Sequence, residues 1–155
     1  MKRIITIFIF AAFLIFTKNG KAQSYTSAAG LHLGWFITGS YKKMVKDNIY
    51  LNFYAGFPND AGNVLVFGTN AEIHKELEGI EDVYYYYGGG GVALAGSGFF
   101  IFGIRGTLGL DYKFAEIPVN ISVAWSPGFY FGDEYSSGFD ARGGGLTVRY
   151  VLSEN

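Results

Sequence analysis

Cysteine is absent from this 155-residue chain, which excludes a disulfide framework and any thiolate chemistry. Charge is also scarce. Asp, Glu, Lys and Arg make up 16% of the residues, against roughly a quarter in an average soluble domain. There are three prolines, two of them (Pro58 and Pro118) beside expected turns and only Pro127 inside an extended segment. In abundance instead are aromatic residues, at 19%, and glycine, with 23 copies, a balance that favours β structure over helix. The length suits one domain and not comfortably two.

Met1, Lys2 and Arg3 form a positive start, Ile4 to Thr17 is an almost unbroken apolar run, and Gly20 and Ala22 place small residues at −3 and −1 of a cleavage after Ala22. The run is short for a membrane span and reads as a secretory signal peptide over residues 1–22, leaving residues 23–155 as the mature domain. Removing residues 1–22 leaves 8 of the 12 basic residues against 13 acidic ones, a formal net charge of −5. That balance argues against a nucleic-acid partner.

The mature chain alternates. The clearest stretch is Phe99–Phe114, with Phe100, Phe102, Ile104, Leu108, Leu110 and Tyr112 on one face and Arg105, Thr107, Asp111 and Lys113 on the other. Period two over that length means a long strand with two different sides. Seven more segments behave alike: Thr26–Ile37, Thr38–Val45, Ile49–Phe57, Val64–Lys75, Val83–Ala95, Val119–Phe131 and Arg142–Leu152. Turn chemistry separates them, at Lys46–Asn48, Pro58–Gly62 and Gly96–Gly98, with one longer polar loop expected over Gly132–Ala141. Eight strands with short connections form an antiparallel meander, and closing it removes the edges.

Charge placement decides which face is outside. Glu72, His74, Arg105, Asp111, Lys113 and Arg149 fall on the glycine-rich polar face, and the apolar face carries only Lys43, Lys75 and Arg142, at strand ends. A water-soluble barrel would need a charged exterior, whereas a membrane barrel needs an apolar band outside and a polar filling inside. The apolar face is therefore read as outward, with Phe100, Ile104, Leu108 and Tyr112 facing lipid. Aromatic belts are expected at both rims, with Tyr41, Tyr84, Tyr86, Tyr112, Phe114 and Tyr150 at one. Trp35, Phe57, Phe67, Phe100, Phe129 and Phe131 are expected at the other.

Blocks such as Ala29–Trp35, Gly39–Lys43, Tyr85–Gly90, Gly109–Phe114, Glu116–Asn120 and Gly145–Tyr150 run through nearly all of the mature chain. Together they resemble a family of short, mostly uncharacterised outer-membrane β-barrel proteins of Gram-negative bacteria. The resemblance implies an eight-stranded up-and-down transmembrane barrel in the cell outer membrane, and it assigns no catalytic residues. Gly145, Val148 and Tyr150 also look like the terminal signal read by the outer-membrane assembly machinery. That machinery and outer-membrane lipid are the partners expected of a monomer.

Local motifs add little chemistry. Gly88–Ala93 matches G-x-G-x-x-A, but no helix-length segment follows, so no dinucleotide cofactor is expected. His32 and His74 could ligate a metal only with a third group such as Glu72; a lumen hydrogen-bond network is the simpler reading, and no metal is expected. Ser122 and Ser126 would need a fixed histidine to act as in a lipid-modifying barrel enzyme, so no catalytic site is assigned. The lumen is expected to hold an ion-pair network centred on Glu72, Asp111, Arg105 and Arg149, with His32 and His74 on the same polar face. Phe36, Val64, Val66, Phe99 and Ile101 are expected to plug one mouth, which argues against a wide pore. Pro127 suggests a bulge, or more sharply a lateral opening. The loop residues Glu134, Tyr135 and Phe139 form the one candidate recognition surface. The expected role is structural, envelope-associated or surface-interacting. The alternatives are a lipid-modifying enzyme and a soluble secreted barrel carrying an apolar ligand.

Overall fold

The alternating segments close into a single sheet. A computed structural model describes residues 25–59, 63–132 and 135–154, so the expected signal peptide and Glu134 lie outside the described residues. The first six staves are β1 (Tyr25–Gly34), β2 (Phe36–Lys46), β3 (Ile49–Pro58), β4 (Leu65–Glu76), β5 (Val83–Gly96) and β6 (Phe99–Lys113). The seventh stave is β7 (Val119–Trp125) continued by β8 (Gly128–Gly132). The eighth is β9 (Tyr135–Asp140) continued by β10 (Gly144–Glu154). Each stave pairs antiparallel with the next, and β10 returns to pair with β1 from Tyr25↔Glu154 to Gly34↔Gly145. The result is an all-β, closed, eight-stranded antiparallel barrel.

Two irregularities depart from plain alternation. A bulge in β1 between Tyr25 and Ala28 turns the Tyr25 ring into the lumen. The other lies at Pro127, which has no N–H to give the ladder and so breaks the seventh stave. The gap is bridged on both sides: Gly106 N–H donates to the Pro127 carbonyl at 2.9 Å and Ser126 N–H to the Gly143 carbonyl at 2.9 Å. The site is a bonded kink, and the backbone shows no open seam there.

Three expectations about facing and extent are corrected. Tyr84 and Tyr86 point inward, both almost fully buried, and the outward members of that run are Tyr85 and Tyr87. Four consecutive tyrosines carry no alternation of their own, so pairing sets the facing: Tyr86 lies opposite Gly109, whose missing side chain leaves room for the Tyr86 ring. Trp35 does not join the outer belt. It sits at the β1–β2 turn, stacks on Phe36 at 5.1 Å and meets the inward Tyr130 edge-on at 5.8 Å. Finally, the expected loop over Gly132–Ala141 contains β9, which pairs with β8. The Ser136-Ser137-Gly138 composition reads as a turn, but the Phe129–Phe139 cross-strand ring pair, 5.1 Å apart, holds the segment extended.

Glycine makes the tight curvature possible at particular points. A Cβ on Gly90 would stand 1.8 Å from the Thr69 carbonyl oxygen of β4, whereas one on Gly106 would meet only the Gly88 carbonyl oxygen, at 4.0 Å. Gly90→Ala is therefore expected to cost about 1–3 kcal/mol, the usual range for overpacking. Gly106→Ala is expected to be neutral or to stabilise by less than about 1 kcal/mol. Urea unfolding midpoints of the two folded variants would check the contrast.

Candidate functional site

The lumen concentrates the chain's polar chemistry. The alternation that turns Leu108 and Leu110 outward turns Arg105, Thr107 and Asp111 inward, and corresponding positions on the other staves contribute Ser40, Lys42, Asn52, Glu72, His74, Asn120, Ser122 and Arg149, all buried. Burial of so many polar groups is tolerable only where they satisfy one another.

Lys42 occupies the middle of this cluster. Its ammonium is 2.8 Å from Glu72 Oε2 and 3.3 Å from Asp111 Oδ2, and it lies 4.5 Å from the centre of the Tyr86 ring. Glu72 also accepts from Asn52 Nδ2 at 3.2 Å and lies 3.2 Å from His74 Nε2. The His74 ring is held between Tyr86, stacked at 4.8 Å, and Tyr50, tilted at 4.5 Å. Asp111 accepts from the Tyr25 hydroxyl at 3.1 Å and from Asn120 Nδ2. Arg149 completes the ring by donating to Ser40 Oγ at 3.0 Å, Ser122 Oγ at 2.8 Å and Asn120 Oδ1 at 3.5 Å.

The structure thus brings Glu72, His74 and Asp111 together, with Arg149 joined to them through Asn120. Arg105 and His32 are not bonded into this cluster, although both line one chamber with Glu72 and Arg149. Arg105 shares a strand face with Asp111 but lies six residues along it, a separation of about 20 Å at 3.3 Å per residue. It donates instead to the Tyr54 hydroxyl at 3.3 Å and lies over the Phe36 ring at 5.4 Å. His32 Nδ1 is 2.8 Å from the Thr147 hydroxyl. Lys42, the residue that joins the two carboxylates, falls on the polar face by the alternation of Thr38–Val45, with Lys43 outward; what alternation does not show is that it stands between Glu72 and Asp111.

Plugs stand on both sides of a small chamber. Towards the end where β1 begins and β10 finishes, Tyr25, Tyr50, Ala28 and Val151 pack together with Met44 against them, and the Tyr50 hydroxyl donates to the Tyr25 carbonyl at 2.7 Å. Towards the other end, Phe36, Tyr54, Val66, Val92 and Tyr130 form a second cluster capped by Trp35, Leu94 and Ile101. Val64 and Phe99, expected in that plug, are half-buried beside it and outside the cluster. The chamber between has a volume of about 40 Å³ and is bordered by Arg105, Arg149, Glu72 and several hydroxyls. That is room for a small ion or water, far below the few hundred Å³ of a lipid or cofactor pocket.

Other motif residues occupy structural positions. Gly88–Gly91 lie within β5, where a strand continues and no helix opens. Ser126 Oγ is 3.1 Å from the Thr107 hydroxyl, and Ser122 is taken by Arg149. Among the described residues, no three His, Cys, Asp or Glu side chains are arranged to hold a metal ion. The Lys42 ammonium fills the position between Glu72 and Asp111.

The outer face has the opposite character. Phe100, Ile104, Leu108 and Tyr112 are 55, 58, 43 and 38% exposed, and Leu31, Phe53, Phe67, Val123 and Val148 continue the apolar surface around the barrel. Charged side chains on this face include Lys43 and Lys75 at one end and Arg142 at the other, where Arg142 lies 4.9 Å over the Trp35 ring and 2.5 Å from Asp140. Phe139 is also exposed, but it lies near the base of the β8–β9 hairpin opposite Phe129, where it joins the apolar exterior, while the Tyr135 side chain lies outside what is described. Set beside known proteins, the chain matches no family model, no curated protein sequence and no solved structure.

Proposed function

We propose that this chain is a small integral outer-membrane β-barrel protein, exported by the signal peptide at residues 1–22, of the family its sequence blocks resemble. It serves a structural, envelope-associated or surface-interaction role and is not a wide pore. The observation that carries this reading is the contrast between faces: a continuous exposed apolar exterior around a lumen filled by buried charged and polar side chains. Contiguous apolar surface of that extent is rare on soluble monomers, where patches of a few hundred Å² are already large. Stave length agrees with it. β1 to β6 run from 10 to 15 residues, against about 9–11 needed for a tilted strand to cross the hydrocarbon core.

Both plugs argue against a conducting pore, as does the usual filling of eight-stranded barrels by their own side chains. The β8–β9 hairpin, which carries Phe139, is the candidate contact surface, with outer-membrane lipid and the assembly machinery as the partners.

Fractionation of cells producing the full chain tests the proposal. Recovery in the outer-membrane fraction, with a folded band that migrates differently before and after boiling and gives no unit conductance in planar bilayers, is expected. Recovery as a detergent-free soluble monomer would overturn it.

A further inference from the structure

The buried interior carries more positive than negative charge. Its basic residues are Lys42, Arg105, Lys113 and Arg149, and its acidic ones are Glu72 and Asp111. Lys113 is matched at the rim by Glu154, 2.7 Å away, and Lys42 takes both interior carboxylates. Four bases against these three acids leave one formal positive charge in excess when both histidines are neutral. Among the described residues, neither Arg105 nor Arg149 forms an ion pair. A guanidinium cannot shed its proton to escape burial, and an uncompensated charge away from water is costly.

Both arginines line the same 40 Å³ chamber. Arg105 is 6% exposed, and its Nε is buried with no hydrogen-bond partner. Thr38, Thr107 and Thr147 add hydroxyl donors around the space. Glu72 also borders it, but its carboxylate is covered by Lys42, His74 and Asn52. Asn70 Oδ1, a second unpartnered atom on the wall, would accept from a water accompanying the ion.

We propose that this chamber binds one small monovalent anion of halide size, held by Arg105 and Arg149 as the buried counter-ion of the barrel. The ion neutralises the excess charge and supplies the acceptor that Arg105 Nε lacks. Its role is to complete the interior, and the proposal does not depend on what lies against the outer face.

The test uses the full folded barrel in detergent. Crystals grown in sodium bromide should show an anomalous difference peak in the chamber within hydrogen-bond reach of Arg105. The thermal unfolding midpoint should rise saturably in sodium chloride relative to sodium gluconate at equal ionic strength. Arg105→Gln, which removes the excess charge, should lose both the peak and the chloride-specific shift. Peaks confined to surface arginines, equal midpoints in the two salts, or a chamber peak that survives Arg105→Gln would each overturn the proposal. The two wild-type measurements decide the matter even if that variant fails to fold.

Discussion

Replacing Lys42 by methionine should destabilise the folded barrel by about 3–5 kcal/mol, the range for removing one partner of a buried ion pair. The cause lies in what remains. Glu72 and Asp111, 2% and 0% exposed, would be left as buried carboxylates without the ammonium now 2.8 and 3.3 Å away. Neutralising the orphaned acids as well, in Lys42→Met with Glu72→Gln and Asp111→Asn, should recover most of the loss, because a well-packed neutral core is often as stable as a buried ion pair. Urea unfolding of the three proteins, read as midpoint shifts at an unchanged slope, would check the set.

The second large effect lies on the other side of the same wall. Leu108→Arg should cost about 2–4 kcal/mol and impair assembly into lipid, since arginine on a lipid-facing strand is most costly near mid-depth. Tyr112→Arg, on the same face of β6 but near its end, should cost about 0–1 kcal/mol. The depth dependence is the discriminating feature. On a water-facing exterior, arginine at either position would be neutral or would raise solubility. Folding yield into vesicles, measured by the shifted band before boiling, would separate the two positions.

Much of the barrel was legible because each stave must keep one face apolar and the other polar. Phe99–Phe114 shows this without any neighbour, and β6 occupies Phe99–Lys113. Legibility failed where alternation was silent. Tyr84–Tyr87 offers four similar rings, and their facing follows from the space at Gly109 on the adjacent strand. Tyr135–Asp140 has turn-like composition in its middle, and only pairing with β8 makes it a strand. For the interior, the sequence identifies which charges point inward but not how far along the barrel each one sits. That is why Arg105 is separated from the cluster and Lys42 takes the central place. The contribution of Tyr25 was hidden too, because a bulge near the strand start reverses its facing.

The absence of cysteine allows the central claim, an apolar face against lipid, to be tested by single-site labelling. Spin labels placed one at a time by Ile104→Cys through Asp111→Cys, in the barrel reconstituted into vesicles, would report collision with oxygen and with a water-soluble nickel chelate. A period of two is expected, with positions 104, 106, 108 and 110 open to oxygen and closed to the chelate, and the alternate positions closed to both. Chelate access at 104, 106, 108 and 110 equal to that of a label at the Ser97–Gly98 turn would contradict it.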